Sequence, residues 1–270
     1  MQTARVILNL SAPNLSGLEL SDLGSAPFTF LLAKQKYPES FHHLQRVLRV
    51  KKEWEVELLD EETSLVLYGK ISEISSESIE IAINTSRKKE RKTRLTVILG
   101  LPDFGVLENT VEKLTEIQTS ALKIFIPKNT QHKNAEERLY AKLERLGKIK
   151  NSARIQSGAS PLSIGLFRCL ESALNDLPQK IDPPDSLRFI ASLEDHSSNL
   201  QEYLHKNCAL EPISQPTDIY LIVGPEGDLG FEEYQLANKF GFKPVSLGDS
   251  VLRVETATIT AAFCLLNYFN

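Results

Sequence analysis

Two glycine-bearing loops near the end of the sequence carry the residue types best suited to chemistry. The first, Gly224-Pro-Glu-Gly227, follows the apolar run Leu221–Val223, and the second begins at Leu247-Gly248 and reaches Arg253 and Glu255. Glycine lets the backbone approach a ligand closely. A guanidinium beside a carboxylate can stabilise a developing anion and help to move a proton. Together the loops predict one pocket for a small polar ligand.

Several side chains of these loops have more than one possible role. Glu226 could cap the following helix, bind a ligand hydroxyl or brace a neighbouring loop. Arg253 could form an ion pair with Glu255 or Glu226 instead of serving a ligand. Glu255 or Thr256 is chemically suited to cap the last helix.

The elements that must position these loops alternate between strand and helix after residue 95. Near-continuous apolar strands between amphipathic helices predict an α/β fold with a parallel sheet covered on both faces. Ligands of such sheets bind beyond the carboxyl ends of the strands, where both glycine loops lie. The expected strands are Leu95–Leu101, Leu122–Ile126, Leu187–Ser192, Ile219–Val223 and Pro244–Leu247. The expected helices are Val106–Gln118, Ala135–Leu146, Leu162–Leu174, Ser198–Lys206, Phe231–Phe240 and Thr256–Tyr268.

The first 85 residues have a different pattern. Short β-branched runs at 53–60, 64–74 and 78–83, separated by turn-forming residues, predict a small antiparallel sheet or barrel. Before them, residues 40–50 predict a helix with Phe41, Leu44, Val47 and Leu48 on one face. The remaining faces leave His43, Arg46 and Arg49 available for other contacts.

A basic run between these two regions has two interpretations. It packs Arg87, Lys88, Lys89, Arg91, Lys92 and Arg94 into eight positions. Such a run can be a solvated linker, or it can bind phosphates with salt-dependent affinity.

Composition narrows the function classes. The 270 residues carry a net charge of −4, which argues against wholesale coating of nucleic acid. We expect a cytoplasmic protein, because the sequence lacks a membrane-length apolar run and a secretory start, and its three cysteines are widely spaced. No Walker or dinucleotide-binding glycine motif is present, and no histidine has a partner at metal-ligand spacing, so we expect no metal.

Three motifs resemble the RsmE family of ribosomal RNA methyltransferases in the SPOUT superfamily. They are Phe41-His-His-Leu-Gln-Arg-Val-Leu-Arg49, Leu221-Ile-Val-Gly-Pro-Glu-Gly227 and Leu247-Gly-Asp-Ser-Val-Leu-Arg-Val-Glu-Thr-Ala257. The resemblance implies a PUA-like β-barrel for RNA binding in residues 1–85, and it makes His43, Arg46, Arg49 and the cations of the basic run candidate RNA-contacting residues. It implies a SPOUT-type α/β domain with a deep trefoil knot in residues 86–270.

The resemblance also implies a reaction and its participants. Family members use S-adenosylmethionine to methylate N3 of a uridine in small-subunit (16S) ribosomal RNA, and they act as homodimers. The substrate would be that RNA or the 30S particle, with no membrane involved. Arg253 and Glu255 would be catalytic. The cofactor would be held by three loops, whose residues are Ser192, Leu193, Val223, Gly224, Pro225, Glu226, Gly227, Leu247, Gly248, Val251, Leu252 and Thr256.

The sequence departs from the family pattern at several positions. Asp103 replaces a usual cation, Lys128-Asn-Thr-Gln-His132 replaces a Ser-Glu-Arg-like segment, Asp228 stands where glycine is usual, and Ser250 where arginine is frequent. These changes leave open a methyltransferase for another RNA position, or a catalytically idle RNA-binding or ribosome-assembly protein. A phosphate- or nucleotide-binding enzyme is disfavoured by the missing motifs.

Overall fold

The computed structural model describes residues 3–10, 28–89, 92–130, 133–178, 186–193, 197–208 and 218–269. The chain divides into two compact units. The smaller comprises residues 1–90 and 154–161, and the larger comprises residues 91–153 and 162–270.

The larger unit is built on a sheet of seven parallel strands. In spatial order they run β10-β12-β9-β11-β6-β7-β8. The strands are β6 (Arg94–Gly100), β7 (Ala121–Phe125), β8 (Ser163–Phe167), β9 (Ser186–Ala191), β10 (Ser198–Asn199), β11 (Asp218–Val223) and β12 (Lys243–Ser246). The α/β fold with a parallel sheet is therefore confirmed.

Six helices in the described ranges accompany these strands, and the last of them follows the final strand. They are α2 (Phe104–Glu116), α3 (Ala135–Ser157), α4 (Leu170–Asn175), α5 (Leu200–Cys208), α6 (Phe231–Lys239) and α7 (Val254–Phe269). The last residues of α3 belong to the smaller unit.

Each central strand contributes to two hydrophobic cores, because successive side chains point to opposite faces of a sheet. In β11, Leu221 packs in the core with α2, α3, α5 and α7, whereas Ile222 packs in the core with α4 and α6. Both faces are thus buried. This explains why the strands are apolar at consecutive positions and show no alternation.

Three expectations about the elements were wrong. The segment Leu162–Leu174 is not one helix, since it contains β8 followed by the start of α4. Helix α3 continues well beyond Leu146. The last helix begins at Val254, so neither Glu255 nor Thr256 is its N-cap.

The smaller unit contains a five-stranded sheet in the order β1-β3-β4-β5-β2. Its strands are β1 (Ala4–Leu8), β2 (Phe28–Ala33), β3 (Glu55–Asp60), β4 (Leu65–Ile74) and β5 (Ser78–Lys88). All pairs are antiparallel except the parallel pair of β1 with β3. Among the strands described, β1 and β2 form the two edges of the sheet, and no closed barrel is formed.

A short helix, α1 (Pro38–His42), runs directly into a π-helix at His43–Leu48. Phe41 and Leu44 are buried as expected, but Val47 is 60% exposed. The wider π-helical turn rotates Val47 away from the face that a regular α-helix would have given it. The expected apolar stripe is therefore only partly correct.

Candidate active site

A cavity of about 800 Å³ lies at the carboxyl ends of β9, β11 and β12 in the larger unit. The residues that follow these three strands line it, together with the starts of α2 and α7. Its volume falls within the range of pockets that hold drug-sized ligands. This is the edge of a parallel sheet at which ligands bind in such folds.

The loop after β11 is tightly braced by its own atoms. The Asp228 amide donates to the Pro225 carbonyl over 2.9 Å, which closes a turn. A Cβ at Gly224 would approach Asp228 Oδ1 to 3.1 Å and Leu229 Cγ to 3.2 Å. Only a residue without a side chain fits this position without moving its neighbours.

Asp228 adopts a left-handed conformation, with φ of 60°. This backbone geometry suits glycine, and aspartate is among the few other residues that tolerate it. Its Oδ1 accepts hydrogen bonds from the Leu229 amide at 2.7 Å and from the Tyr234 hydroxyl at 3.1 Å. These bonds favour the aspartate in place of the glycine expected here.

Of the three roles open to Glu226, the structure supports the brace. Its Oε1 accepts a hydrogen bond from the Asp103 amide at 3.1 Å. The following helix, α6, is capped by Glu233 instead, whose Oε2 accepts from the Gly230 amide at 2.9 Å. Glu226 therefore ties the loop after β11 to the loop after β6.

The loop between β12 and α7 is held quite differently. Gly248 has φ of 131°, a conformation that other residues rarely adopt. The side chains of Val251 and Arg253 are exposed. Within the described ranges, the Arg253 guanidinium makes no ion pair with Glu255 or Glu226. Arg253 and Glu255 both line the cavity, so the guanidinium is available to a ligand there.

Most residues expected at the cofactor lie along this cavity. Those that line it are Ser192, Leu193, Val223, Gly224, Pro225, Glu226, Leu247, Gly248, Val251 and Leu252. Gly227 and Thr256 are exposed but do not line it, because Gly227 lies in the turn and Thr256 on the outer side of α7. Which of these residues contact a cofactor remains a prediction.

Sequence reasoning missed several contributors. Asp103 and Val106, at the start of α2, line the cavity, as does Ser197, whose buried Oγ has no hydrogen-bond partner among the residues that the structure describes. Gly100 lies beneath the loop after β11, and a Cβ there would come within 2.7 Å of Pro225 Cδ. Of these residues, only Gly100 gave a signal in the sequence, because it is a glycine at the end of an apolar strand. The positions of Asp103, Val106 and Ser197 beside the cavity depend on the tertiary fold.

The candidate RNA-contacting residues of the smaller unit differ in their exposure to solvent. Arg46, Arg49, Arg87 and Lys88 are exposed, and His43 is half-buried. Lys89 donates from Nζ to the Gly158 carbonyl at 2.5 Å, and burial lowers its pKa. Lys89 thus has a structural contact inside its own unit.

The rest of the basic run falls in the larger unit, with Arg91 outside the described residues. Lys92 is exposed. Arg94 begins β6 and binds Asp218 with two hydrogen bonds of 2.8 and 2.9 Å. This hydrogen bonding raises the pKa of Arg94. The run is therefore not simply a linker, because Arg87 and Lys88 lie in β5 and Arg94 in β6.

The described residues contain neither a metal-binding cluster nor a helix that could span a membrane. In those parts of the chain, no group of three or more His, Cys, Asp or Glu side chains could hold a metal ion. None of the helices described is both long and apolar enough to cross a membrane.

Comparison with known proteins agrees with this geometry. A family model for the RNA methyltransferase domain matches residues 89–266. The chain is 28% identical over 227 residues to ribosomal RNA small subunit methyltransferase E of Synechocystis sp., covering 82% of this chain and 68% of that protein. It is 26% identical over 275 residues to the protein of the same name from Buchnera aphidicola subsp. Acyrthosiphon pisum, covering 100% and 98%.

A solved structure shares the fold. It is a ribosomal RNA small subunit methyltransferase E from Neisseria gonorrhoeae bound to S-adenosyl methionine. The two structures match with a TM-score of 0.74 at 22% identity, over 99% of this chain and 98% of the other. Because the family match extends over more than half of the sequence, the chain belongs to the RNA methyltransferase domain family, and the RsmE enzymes are the relatives that it resembles.

Proposed function

We propose that this protein is an S-adenosylmethionine-dependent methyltransferase that modifies N3 of a uridine in small-subunit (16S) ribosomal RNA. The observation that carries the proposal is the cavity at the carboxyl ends of β9, β11 and β12, with the exposed Arg253 on its lining. Family membership supplies the reaction class. The cofactor bound by the Neisseria gonorrhoeae protein supports the choice of methyl donor.

The residues of the cavity suit this donor. A folded nucleoside with an amino-acid tail is a drug-sized ligand, and the cavity has space for one. Gly224 and Gly248 expose backbone donors and acceptors that could bind an adenine edge. The Ser197 Oγ, which has no partner in the described part of the chain, is a further polar group for the ligand. When bound, S-adenosylmethionine would supply a methyl group activated by a positively charged sulfur.

The two charged residues at the start of α7 have complementary tasks. Uridine N3 carries a proton and attacks the methyl carbon only after that proton leaves. Negative charge then spreads onto the flanking carbonyl oxygens, and the Arg253 guanidinium would stabilise it. Glu255 would accept the proton, directly or through water, or would orient Arg253. The N3–methyl bond forms as the carbon–sulfur bond breaks.

Exposed cations of each unit would bind the RNA backbone. In the smaller unit these are Arg46, Arg49 and Arg87, and in the larger unit Lys92 is exposed. Reversing the charges of Arg46 and Arg49 is expected to weaken RNA binding and to reduce its dependence on salt. An unchanged salt slope would remove these residues from the interface.

We assign the finer architecture by the same reasoning. The smaller unit would be a PUA-like RNA-binding domain, and the larger unit a SPOUT domain with a trefoil knot. The spatial order supports the knot, since β11 lies between β6 and the earlier β9. Tracing the chain through these strands in an experimental density map tests it.

The protein would act as a cytoplasmic homodimer. Helices α5 and α7 flank a groove in which the apolar Leu204, Ile259 and Phe263 lie beside polar residues, and Phe263 is 55% exposed. Burial of such a surface by a second copy would remove apolar area from water. Equilibrium sedimentation tests this assignment, and a monomer mass at micromolar concentration would contradict it.

One experiment tests the proposed reaction. Purified protein and methyl donor are incubated with small ribosomal subunits that lack the modification, and the nucleosides are then analysed by mass spectrometry. We expect N3-methyluridine. Methylation at another position would support the alternative target suggested by Asp103, which lines the cavity. Absence of any methylated nucleoside, despite cofactor binding, would favour a catalytically idle RNA-binding protein.

A further inference from the structure

Helix α2 begins at the cavity wall. Within the described ranges, the side chain of its N-cap residue, Asp103, makes no capping hydrogen bond to the first turn. The third residue of the helix, Val106, is apolar and cannot bind the N-cap amide as a glutamate in a capping box would. The first turn of a helix leaves amide groups without acceptors, so a partner must come from elsewhere.

That partner is Glu226, which lies 123 residues away in the sequence. Its Oε1 accepts the hydrogen bond from the Asp103 amide at 3.1 Å. A carboxylate at this place also interacts favourably with the positive end of the helix dipole. Glu226 thus supplies, from the loop after β11, the contact that a capping box supplies from within a helix.

The contact joins two sides of the same cavity. The loop of Glu226 lines one side, and Asp103 and Val106 of α2 line another. Helix α2 packs against α7, whose start carries Glu255 and follows Arg253 directly. The position of the α2 start is therefore coupled through packing to the proposed catalytic pair.

We propose that Glu226 is a positioning residue that caps α2 across the cavity and so fixes the α2–α7 wall relative to the loop after β11. This inference rests on the proposed function for its effect on turnover, but the capping contact exists in the protein without ligand. Glu226 would then act on the reaction through its hydrogen bond with the Asp103 amide and not by binding the cofactor.

Amide exchange in the ligand-free protein, resolved to Asp103 by NMR, tests the contact itself. Glu226→Ala is expected to speed exchange of the Asp103 amide about tenfold, as loss of a hydrogen bond to a charged acceptor would. Glu226→Gln should retain protection, because its amide oxygen can still accept. Glu232→Ala is the matched control, since this neighbouring glutamate binds Lys128 instead. Unchanged exchange in Glu226→Ala would overturn the proposal.

Steady-state methyl transfer tests the consequence. In Glu226→Ala we expect kcat to fall about fivefold to tenfold, with the Kd for S-adenosylmethionine changed less than threefold, and we expect Glu226→Gln to recover most of the turnover. The positioning role would be overturned if kcat fell equally in Glu226→Ala and Glu226→Gln, or if the Kd for S-adenosylmethionine rose by as much as kcat fell. Either result would identify Glu226 as a direct ligand contact. Absence of turnover in the wild-type protein would contradict the proposed function alone, because the exchange result stands without it.

Discussion

The two loops that line the cavity are built in opposite ways. The loop after β11 is braced by a closed turn, by the side chain of Asp228 and by the hydrogen bond that Glu226 accepts from the Asp103 amide. The loop between β12 and α7 exposes Val251 and Arg253. The first loop is a preformed wall, whereas the second presents side chains to whatever binds. Changes in the first should therefore act on stability, and changes in the second on ligand binding and chemistry.

The largest effect is expected at Arg253 in the open loop. Arg253→Ala should reduce methyl transfer about a hundredfold or more, because it removes the group that stabilises charge on the target base. Its unfolding free energy should change by less than about 0.5 kcal/mol, since the exposed side chain has no ion-pair partner among the described residues. Turnover assays measure the loss of methyl transfer, and urea unfolding measures the change in unfolding free energy. Full activity in this variant would remove Arg253 from the mechanism.

Substitutions that disturb the loop after β11 should lower the stability of the protein. At Gly100, beneath that loop, a Cβ would come within 2.7 Å of Pro225 Cδ and 3.0 Å of Pro225 N. Gly100→Ala should therefore destabilise the protein by about 2 to 3 kcal/mol, as overpacking commonly does.

Gly227→Ala is the matched control for this substitution. A Cβ at Gly227 would meet nothing within 4 Å. Its unfolding free energy should stay within about 0.5 kcal/mol of the wild type. Equal urea midpoints for the two variants would contradict the bracing.

A substitution at Gly248 tests the difference between the two loops through cofactor affinity instead of stability. Its φ of 131° is strained for any other residue. Because its loop is open, we expect Gly248→Ala to shift the loop and to raise the cofactor Kd about tenfold, which corresponds to about 1.4 kcal/mol. Titration calorimetry measures this change. A loss of stability with unchanged affinity would show that the second loop is as rigid as the first.

The smallest effect is expected from a surface cluster outside both loops. Hydrogen bonds from Arg145 and then Lys142 lower the pKa of Glu108. A carboxylate whose folded pKa is lowered stabilises the protein above its unfolded pKa, near 4.5, and that stabilisation is lost as pH falls through the folded value.

Glu108→Gln should consequently cost less than about 1 kcal/mol at pH 7. Urea unfolding of both proteins at neutral and acidic pH measures the difference. The difference should narrow as pH falls below the unfolded pKa. If the difference in unfolding free energy stayed the same in acid, the contribution of Glu108 would not be electrostatic.

The sequence predicted the parts of the fold that follow from local pattern. Consecutive apolar residues in Ile219–Val223 indicated a strand buried on both faces, and the glycines after it indicated a ligand loop. Leu162–Leu174 was misread because the five residues of Ser163–Phe167 are too few for periodicity to distinguish a strand from a helix. Strands β1 and β2 were not predicted at all.

The cavity was predictable only in part, for a related reason. Glycines and charges mark the loops, but the partner of Glu226 lies 123 residues away and gives no local signal. The same holds for Arg154, which is 1% exposed and donates to the backbone carbonyls of Ala159, Glu61 and Thr63. Burial lowers its pKa to about 10. No local pattern in the sequence around Arg154 indicates that its side chain is buried.

Titration calorimetry of the wild-type protein with S-adenosylmethionine tests whether the cavity is a methyl-donor site. We expect saturable binding of one molecule per chain with a micromolar Kd, and weaker binding when Gly248 is replaced. No binding at millimolar cofactor by the folded protein would contradict a methyl-donor site at the ends of β9, β11 and β12.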